Sequence, residues 1–212
     1  MPSLFESQVS RPLADRLRPA KLDEVVGQGH LFGDDGPITR MIKTGRVPSV
    51  ILWGPPGCGK TTLARLMADV ADMAFEPLSA IFSGVADLRK VFERARGRRA
   101  TGGATLLFID EIHRFNRAQQ DSFLPHMEDG TIVLVGATTE NPSFELNSAL
   151  LSRATVLTFN RLDDAALEKL LARAEEEEGR KLPLDDEARA SLRNMADGDG
   201  RTVLNLAEEV FM

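Results

Sequence analysis

The sequence predicts an α/β fold, with a parallel sheet of five strands flanked by helices and a small all-α unit after it. Three observations lead to this prediction. Short apolar runs alternate with amphipathic segments between residues 50 and 159, a complete phosphate-binding loop follows the first run, and only helix-forming segments occur after residue 162. Strands that alternate with helices are typical of parallel sheets covered on both faces. Ligands of such sheets bind at the carboxyl ends of the strands.

Length and composition limit the class of protein. The 212 residues allow one substantial domain, predicted over 1–161, and a small helical domain, predicted over 162–212. The chain has no run of eighteen apolar residues and no amino-terminal signal pattern, so we expect a cytoplasmic protein without a membrane partner. The single cysteine excludes an intramolecular disulfide. The net charge of −6 comes from the region after residue 160, and the larger domain is balanced in charge.

The predicted elements follow from their patterns. Apolar, partly β-branched runs predict strands at 50–53, 74–78, 105–109, 131–135 and 155–159. Helical spacing of apolar residues predicts helices at 61–70, 87–95 and 119–127 in the larger domain and at 163–178, 185–196 and 200–212 in the smaller one. Asp163 and Asp185 are suited to cap the amino ends of two of these helices, and Gly179 is suited to end one of them.

A phosphate-binding motif lies between the first strand and the next helix. The pattern G-x-x-x-x-G-K-[ST] is complete, and its residues are Gly54, Pro55, Pro56, Gly57, Cys58, Gly59, Lys60 and Thr61, with Thr62 next to them. Glycines let backbone N–H groups converge on phosphates, Lys60 adds a positive charge, and the Thr61 hydroxyl faces Mg²⁺. The predicted ligand is therefore a nucleoside triphosphate with magnesium. Cys58 is interpreted as a small packing residue, with a redox-sensitive thiol as the alternative.

A pair of acidic residues follows the third predicted strand. Asp110 and Glu111 come directly after the apolar run 105–109. Neighbouring side chains of a strand point to opposite faces, so the two carboxylates are expected to have different tasks. Asp110 would hold the Mg²⁺ that Thr61 also approaches, and Glu111 would orient the water that attacks the γ-phosphate.

Other polar residues are less informative by spacing alone. The three histidines, His30, His113 and His126, do not have the spacing of metal ligands and are interpreted as structural or solvent-facing. A basic run between Arg89 and Arg99 fits a solvated helix face, with a surface that contacts phosphates as the alternative.

Several long segments together carry a resemblance. They are Arg18-Pro19, Val25-Val26-Gly27-Gln28, 51–62, IDEIHRFN at 109–116, QQDSFLPHMEDGT at 119–131 and GATTENPSFELNSALLSR at 136–153. The chain resembles the AAA+ ATPases of the clamp-loader and branch-migration group, and more closely the replication-associated recombination protein A family with its WRN-interacting relatives. The likeness extends from about residue 12 to residue 208.

The resemblance implies roles that spacing does not. Val25 and Val26 would border the adenine, and Thr139 would be the sensor that contacts the γ-phosphate or the attacking water. Arg153 would be an arginine finger acting on a neighbouring subunit. Arg201 would be the second sensor, in a helical lid, and Ser79 would restrain Glu111 until DNA binds. Besides Glu111, the implied catalytic residues are Lys60, Thr139, Arg153 and Arg201.

The resemblance also implies a function. We expect an ATPase that acts on DNA at stalled replication forks, stimulated by single-stranded or forked DNA and dependent on homo-oligomerisation. Replication-fork proteins such as single-strand binding protein are expected partners, and the nucleoid is the expected location. Because family members continue beyond the position of Met212, we expect an amino-terminal half without the family's oligomerisation region. The alternatives are a clamp-loader subunit, a Holliday-junction motor, and a nucleotide-gated DNA or protein binding module with negligible hydrolysis.

Overall fold

Five parallel strands form one sheet. The computed structural model describes residues 11–212, so residues 1–10 of the predicted larger domain lie outside the described part. The strands are β1 (Val50–Trp53), β2 (Met73–Ser79), β3 (Ala104–Asp110), β4 (Val133–Thr138) and β5 (Thr155–Thr158). Their order across the sheet is β2-β3-β4-β1-β5, and every neighbouring pair is parallel. The predicted α/β fold with a five-stranded parallel sheet is confirmed.

Helices precede, alternate with and follow these strands. The α-helices are α1 (Leu13–Arg16), α2 (Gly29–Phe32), α3 (Pro37–Thr44), α4 (Lys60–Val70), α5 (Val85–Ala100), α6 (Arg117–Asp121), α7 (Leu124–Glu128), α8 (Pro142–Glu145), α9 (Ser148–Leu151), α10 (Asp164–Glu178), α11 (Asp186–Ala196) and α12 (Gly200–Phe211). Short 3₁₀ helices lie at Leu22–Glu24 and Ile112–Arg114. None of the helices in the described part is long and apolar enough to cross a bilayer.

Several predicted elements differ from the observed ones at their ends, α5 being longer than the predicted 87–95, and two differences have a clear structural cause. The helix predicted at 119–127 is two helices, α6 and α7, since Pro125 has no N–H to donate and its ring would clash with the carbonyl of Asp121 in a continuous helix. The strand predicted at 131–135 begins later, because the Thr131 N–H donates to the side chain of Asp129 in a turn. It also runs on through Gly136, where an added Cβ would lie 2.8 Å from the Ile112 side chain.

The core lies on both faces of the sheet. Along β3, Leu106 and Phe108 belong to the apolar cluster that contains residues of α4, whereas Leu107 and Ile109 belong to the cluster that contains residues of α5. This alternation is the period of two that a strand imposes on its side chains. The sheet is therefore covered on both faces, and its carboxyl edge is available for a site.

The last three helices share a third apolar cluster, to which Leu13 of α1 also belongs. Each begins at an aspartate whose side chain accepts a backbone N–H of the first turn: Asp163, Asp185 and Asp199. Gly179 ends α10 with φ of 64°, a left-handed conformation that favours glycine. The division at residues 161 and 162 stays a prediction.

A buried carboxylate links the helices of this cluster. Glu175 on α10 is 5% exposed, and it accepts hydrogen bonds from Arg189 Nη1 at 2.7 Å, Lys181 Nζ at 2.9 Å and the Leu182 N–H at 3.0 Å. Burial alone would raise the pKa of Glu175, but the hydrogen bonds from Arg189, Lys181 and Leu182 outweigh burial and lower this pKa to about 2. Glu175 is therefore ionised in the folded chain above about pH 2.

We expect Glu175→Gln to reduce the free energy of unfolding at pH 7 by about 3 kcal/mol. The folded pKa lies below the unfolded value near 4.5, so this stabilisation is complete above about pH 4.5 and is lost as the pH falls towards 2. Urea unfolding of both proteins between pH 7 and pH 3 measures the effect. Glu176→Gln, at an exposed position next along the helix, is the control. A difference between wild type and Glu175→Gln that is constant over this pH range would contradict the assignment.

Candidate functional site

A loop of six residues connects β1 to α4. The backbone at Gly57 and Gly59 has φ of 64° and 102°, conformations that side chains disfavour. Gly54 is also constrained, because an added Cβ would lie 2.5 Å from the Phe159 carbonyl oxygen. Its N–H donates to the Thr138 carbonyl at 3.1 Å, which ties the loop to the end of β4. The glycines of the motif are therefore required by the shape of the loop.

Lys60 is the first residue of α4 and is 9% exposed. Its Nζ donates to the carbonyl oxygens of Gly54 at 2.8 Å and Pro55 at 2.6 Å, so the ammonium group lies within the loop. The Cys58 thiol is buried and donates to the Pro55 carbonyl at 2.9 Å. Burial raises the pKa of this thiol, although Lys60 opposes the shift. A raised thiol pKa favours the packing interpretation of Cys58 over the redox one.

The two acidic residues reach the same cavity from different backbone conformations. Asp110 is the last residue of β3, and Glu111 lies beyond the strand with φ of 53°, in the left-handed region. The expectation that a continuing strand separates the two carboxylates is therefore wrong, because the chain turns at Glu111. Both residues line the cavity above the phosphate loop, together with Lys60 and Thr61. Glu111 Oε2 is buried and has no hydrogen-bond partner among the described residues.

Residues before the sheet form an apolar wall of this cavity. Val25 and Val26 line it, and so do Ala14 and Leu17 of the α1 region. That the two valines border the adenine stays a prediction. Sequence reasoning missed Ala14 and Leu17. The amphipathic pattern of α1 was too short to identify them.

The last helices close the cavity from the other side. Arg201, in the first turn of α12, lines the cavity with Leu170 and Leu204. The Gly200 N–H donates to the Gly57 carbonyl at 3.1 Å, and a Cβ on Gly57 would lie 1.8 Å from the Asp199 carboxylate. The first turn of α12 is thus packed directly on the phosphate loop. Sequence reasoning did not assign Leu170 and Leu204 to the site.

Thr139 follows β4 and lines the cavity. Arg153 does not line it: its guanidinium pairs with Glu128, at 2.7 Å from Nε and 2.6 Å from Nη2. Ser79 ends β2 and is the register partner of Asp110, but no hydrogen bond joins its side chain to Glu111 in residues 11–212. The structure thus brings Lys60, Thr61, Asp110, Glu111, Thr139 and Arg201 to one cavity and leaves Arg153 outside it.

Half of the basic run on α5 is paired: three of its six basic residues have an acidic partner among the described residues. Arg94 and Arg98 contact Glu76 of β2, and Arg99 contacts Asp129. The pairing with Glu76 lowers the pKa of this carboxyl, against the effect of burial. These partners favour the structural interpretation of the run over a surface that contacts phosphates.

The chemistry of the cavity fits a magnesium triphosphate. The loop offers backbone N–H groups, a lysine and the amino end of an eleven-residue helix, all of which favour anions. Thr61 and Asp110 offer a hydroxyl and a carboxylate, the oxygen ligands that Mg²⁺ takes when it is shared with phosphates. In the described part of the chain, no group of three or more His, Cys, Asp or Glu residues could hold a metal by itself.

Known proteins share this sequence and fold. Residues 50–162 match the model of the ATPase family associated with various cellular activities (AAA). The replication-associated recombination protein A of Escherichia coli K12 is 49% identical over 209 residues, which are 96% of this chain and 47% of that protein. The ATPase WRNIP1 of Dictyostelium discoideum is 44% identical over 96% of this chain and 24% of its own length. This chain therefore spans about half, or less, of these relatives.

Solved structures of the RuvB Holliday-junction branch migration motor of Thermotoga maritima are also similar. One of them has a TM-score of 0.73 and 28% sequence identity, over 91% of this chain and 64% of that chain.

Proposed function

Because this chain belongs to the AAA family of ATPases, we propose that it is a Mg²⁺-dependent ATP-hydrolysing switch or motor acting on DNA in replication-linked recombination and repair. The observation that carries the proposal is the shared cavity, in which the phosphate loop, both acidic residues and Arg201 meet. The E. coli relative supplies the link to replication and recombination through its name, and the Dictyostelium relative is named as an ATPase.

The chain's own residues divide the work. Lys60 and the loop amides bind the β- and γ-phosphates, and Thr61 and Asp110 hold the metal. Magnesium, when bound, neutralises charge on the phosphates. Glu111 orients the attacking water and accepts its proton, and Thr139 contacts the γ-phosphate or that water. Arg201 carries the nucleotide state to the last helices, because α12 is packed on the loop through Gly57.

Arg153 is proposed to act on a neighbouring subunit. It lies outside the cavity of its own chain, where Glu128 holds its guanidinium at the surface. An arginine so placed stabilises transition-state charge only if a second copy brings its cavity to it. We therefore propose that the full-length protein forms a homo-oligomer. Fork proteins such as single-strand binding protein are proposed as its partners, and the nucleoid as its location.

DNA contact is proposed at Arg114 and Arg117. Both are exposed, follow Glu111 within six residues and have no ion pair among the described residues. The Arg114 N–H donates to the Glu111 carbonyl at 2.8 Å, so a phosphate bound by Arg114 would act on the backbone of the water activator.

The proposal predicts that single-stranded or forked DNA raises the ATP turnover of the full-length protein. We expect Arg114→Ala and Arg117→Ala each to weaken DNA binding and to lower the salt slope by about one. Arg46→Ala is the matched control. Arg46 is exposed and precedes β1, so it lies at the amino ends of the strands, away from the cavity at their carboxyl ends. Turnover that no DNA changes at any salt concentration would contradict the proposal, and unchanged slopes would place the DNA site elsewhere.

A Holliday-junction motor is the second candidate function, favoured by the similarity to the Thermotoga branch migration motor. Migration of a four-way junction by the full-length protein separates the two. A clamp-loader subunit would instead load a sliding clamp. A binding module with negligible hydrolysis is disfavoured because Lys60, Asp110, Glu111 and Arg153 are all present.

A further inference from the structure

One histidine lies between the water activator and the end of β4. The side chain of His113 is 8% exposed, and its Nδ1 is 2.9 Å from Thr138 Oγ1 and 3.3 Å from Glu111 Oε2. A single ring nitrogen thus lies near both groups, and in the structure it is hydrogen-bonded to Thr138 and not to Glu111 Oε2. It carries one proton at most, so it bonds well to only one of them at a time.

Thr138 connects this nitrogen to the turn that carries Thr139. It is 1% exposed, and its Oγ1 accepts the Glu140 N–H at 3.0 Å, so the hydroxyl spans the position of Thr139. The Thr138 carbonyl accepts the Gly54 N–H of the phosphate loop at 3.1 Å. A displacement of Thr138 would therefore move both the phosphate loop, through Gly54, and the turn that carries Thr139.

The side chain of Glu111 needs a neighbouring group that fixes its position. Its backbone is in the left-handed region, and its Oε2 is a buried acceptor without a hydrogen bond among the described residues. A buried carboxylate oxygen without a donor is costly, so the group close to it strongly influences where the side chain rests. His113 Nδ1 lies 3.3 Å from this oxygen.

We propose that His113 is a positioning residue for hydrolysis, which couples the carboxylate of Glu111 to Thr138 and so to the turn at Thr139. In the structure Nδ1 is hydrogen-bonded to Thr138 Oγ1 and the carboxylate oxygen is left without a donor. A rotation of the imidazole ring that directs a protonated Nδ1 at Glu111 Oε2 would hold the carboxylate instead. The inference rests on the proposed function, because it assigns Glu111 to water activation. The inference extends the proposed function, because it names His113 as the residue that couples the movement of Glu111 to that of Thr139.

The kinetic test compares substitutions that keep or lose a polar atom near Nδ1. We expect His113→Gln, whose amide reaches the Nε2 position instead, to lower kcat by up to about 100-fold with ATP affinity within twofold. His113→Asn, whose amide lies near the Nδ1 position, should recover a large part of this loss. Thr138→Val removes the hydroxyl that contacts Nδ1. If the two residues act through this one contact, the kcat of the double variant with His113→Gln should be no lower than that of the slower single variant.

A spectroscopic test does not depend on turnover. The chain has three histidines, and the ring ¹⁵N resonances of His30 and His126 are internal controls. We expect Thr138→Val and Glu111→Gln each to shift the Nδ1 resonance of His113 and to leave the other two unchanged. The inference is overturned if neither substitution moves it, or if His113→Gln turns over within twofold of an active wild type. A wild type that binds ATP without hydrolysing it would instead refute the proposed function, and the spectra would still test the contact.

Discussion

Replacing Glu111 with glutamine is expected to lower ATP turnover by about 10²- to 10⁴-fold while ATP still binds, because an amide cannot accept the proton of the attacking water. Glutamine has about the same size as glutamate, and Oε2 of Glu111 has no hydrogen bond to lose, so the fold should be unaffected. Steady-state hydrolysis and equilibrium binding of ATP measure the two effects separately. Glu145→Gln is the control, since Glu145 is exposed on α8. Turnover equal to that of wild type would remove Glu111 as the water activator.

The same variant tests whether Arg153 acts between subunits. A Glu111→Gln subunit keeps its arginine, and an Arg153→Ala subunit keeps its own cavity residues. Mixing the two inactive full-length proteins should therefore restore part of the activity, because some contacts would join an intact cavity to an intact arginine. If mixing restores nothing although mixed assemblies form, Arg153 acts within its own chain or not in catalysis.

The phosphate loop could be predicted from the sequence because its geometry is local. Gly57 and Gly59 have positive φ, a local requirement that the motif itself records. The close contacts of Gly54 with Phe159 and of Gly57 with Asp199 join distant parts of the chain and could not be predicted in this way. The strands were predictable for a related reason, since buried parallel strands are short apolar runs. Pro125 is visible in the sequence, but the helix was predicted through it, over 119–127.

The rest of the site depends on contacts between distant parts of the chain. Leu17 and Leu204 meet in one cavity across nearly the whole sequence, and no local pattern indicates that. The left-handed backbone at Glu111 is equally unpredictable, because tertiary packing imposes it on a residue that does not prefer it. His113 was interpreted as structural or solvent-facing for want of a metal-ligand spacing. Only the fold brings its ring to Thr138.

Lys60→Ala should have the other large effect, a loss of ATP affinity of about 10- to 100-fold. The side chain supplies the charge that binds the phosphates, and a hydrogen bond to a charged group is stronger than a neutral one. Its removal also frees the carbonyls of Gly54 and Pro55, which accept from Nζ at 2.8 and 2.6 Å, so the loop loses its internal support as well. Calorimetric titration with a non-hydrolysable ATP analogue measures the affinity.

Two further variants separate these contributions. Lys169→Ala, at an exposed position on α10, controls for the loss of one positive charge from the chain. Lys60→Arg keeps the positive charge but replaces the compact ammonium group with a wider, planar guanidinium, which fits less well between the carbonyls of Gly54 and Pro55. This variant should therefore bind ATP better than Lys60→Ala and worse than wild type. Wild-type affinity in Lys60→Ala would refute the role of the lysine, whereas equal losses in both variants would show that geometry in the loop outweighs charge.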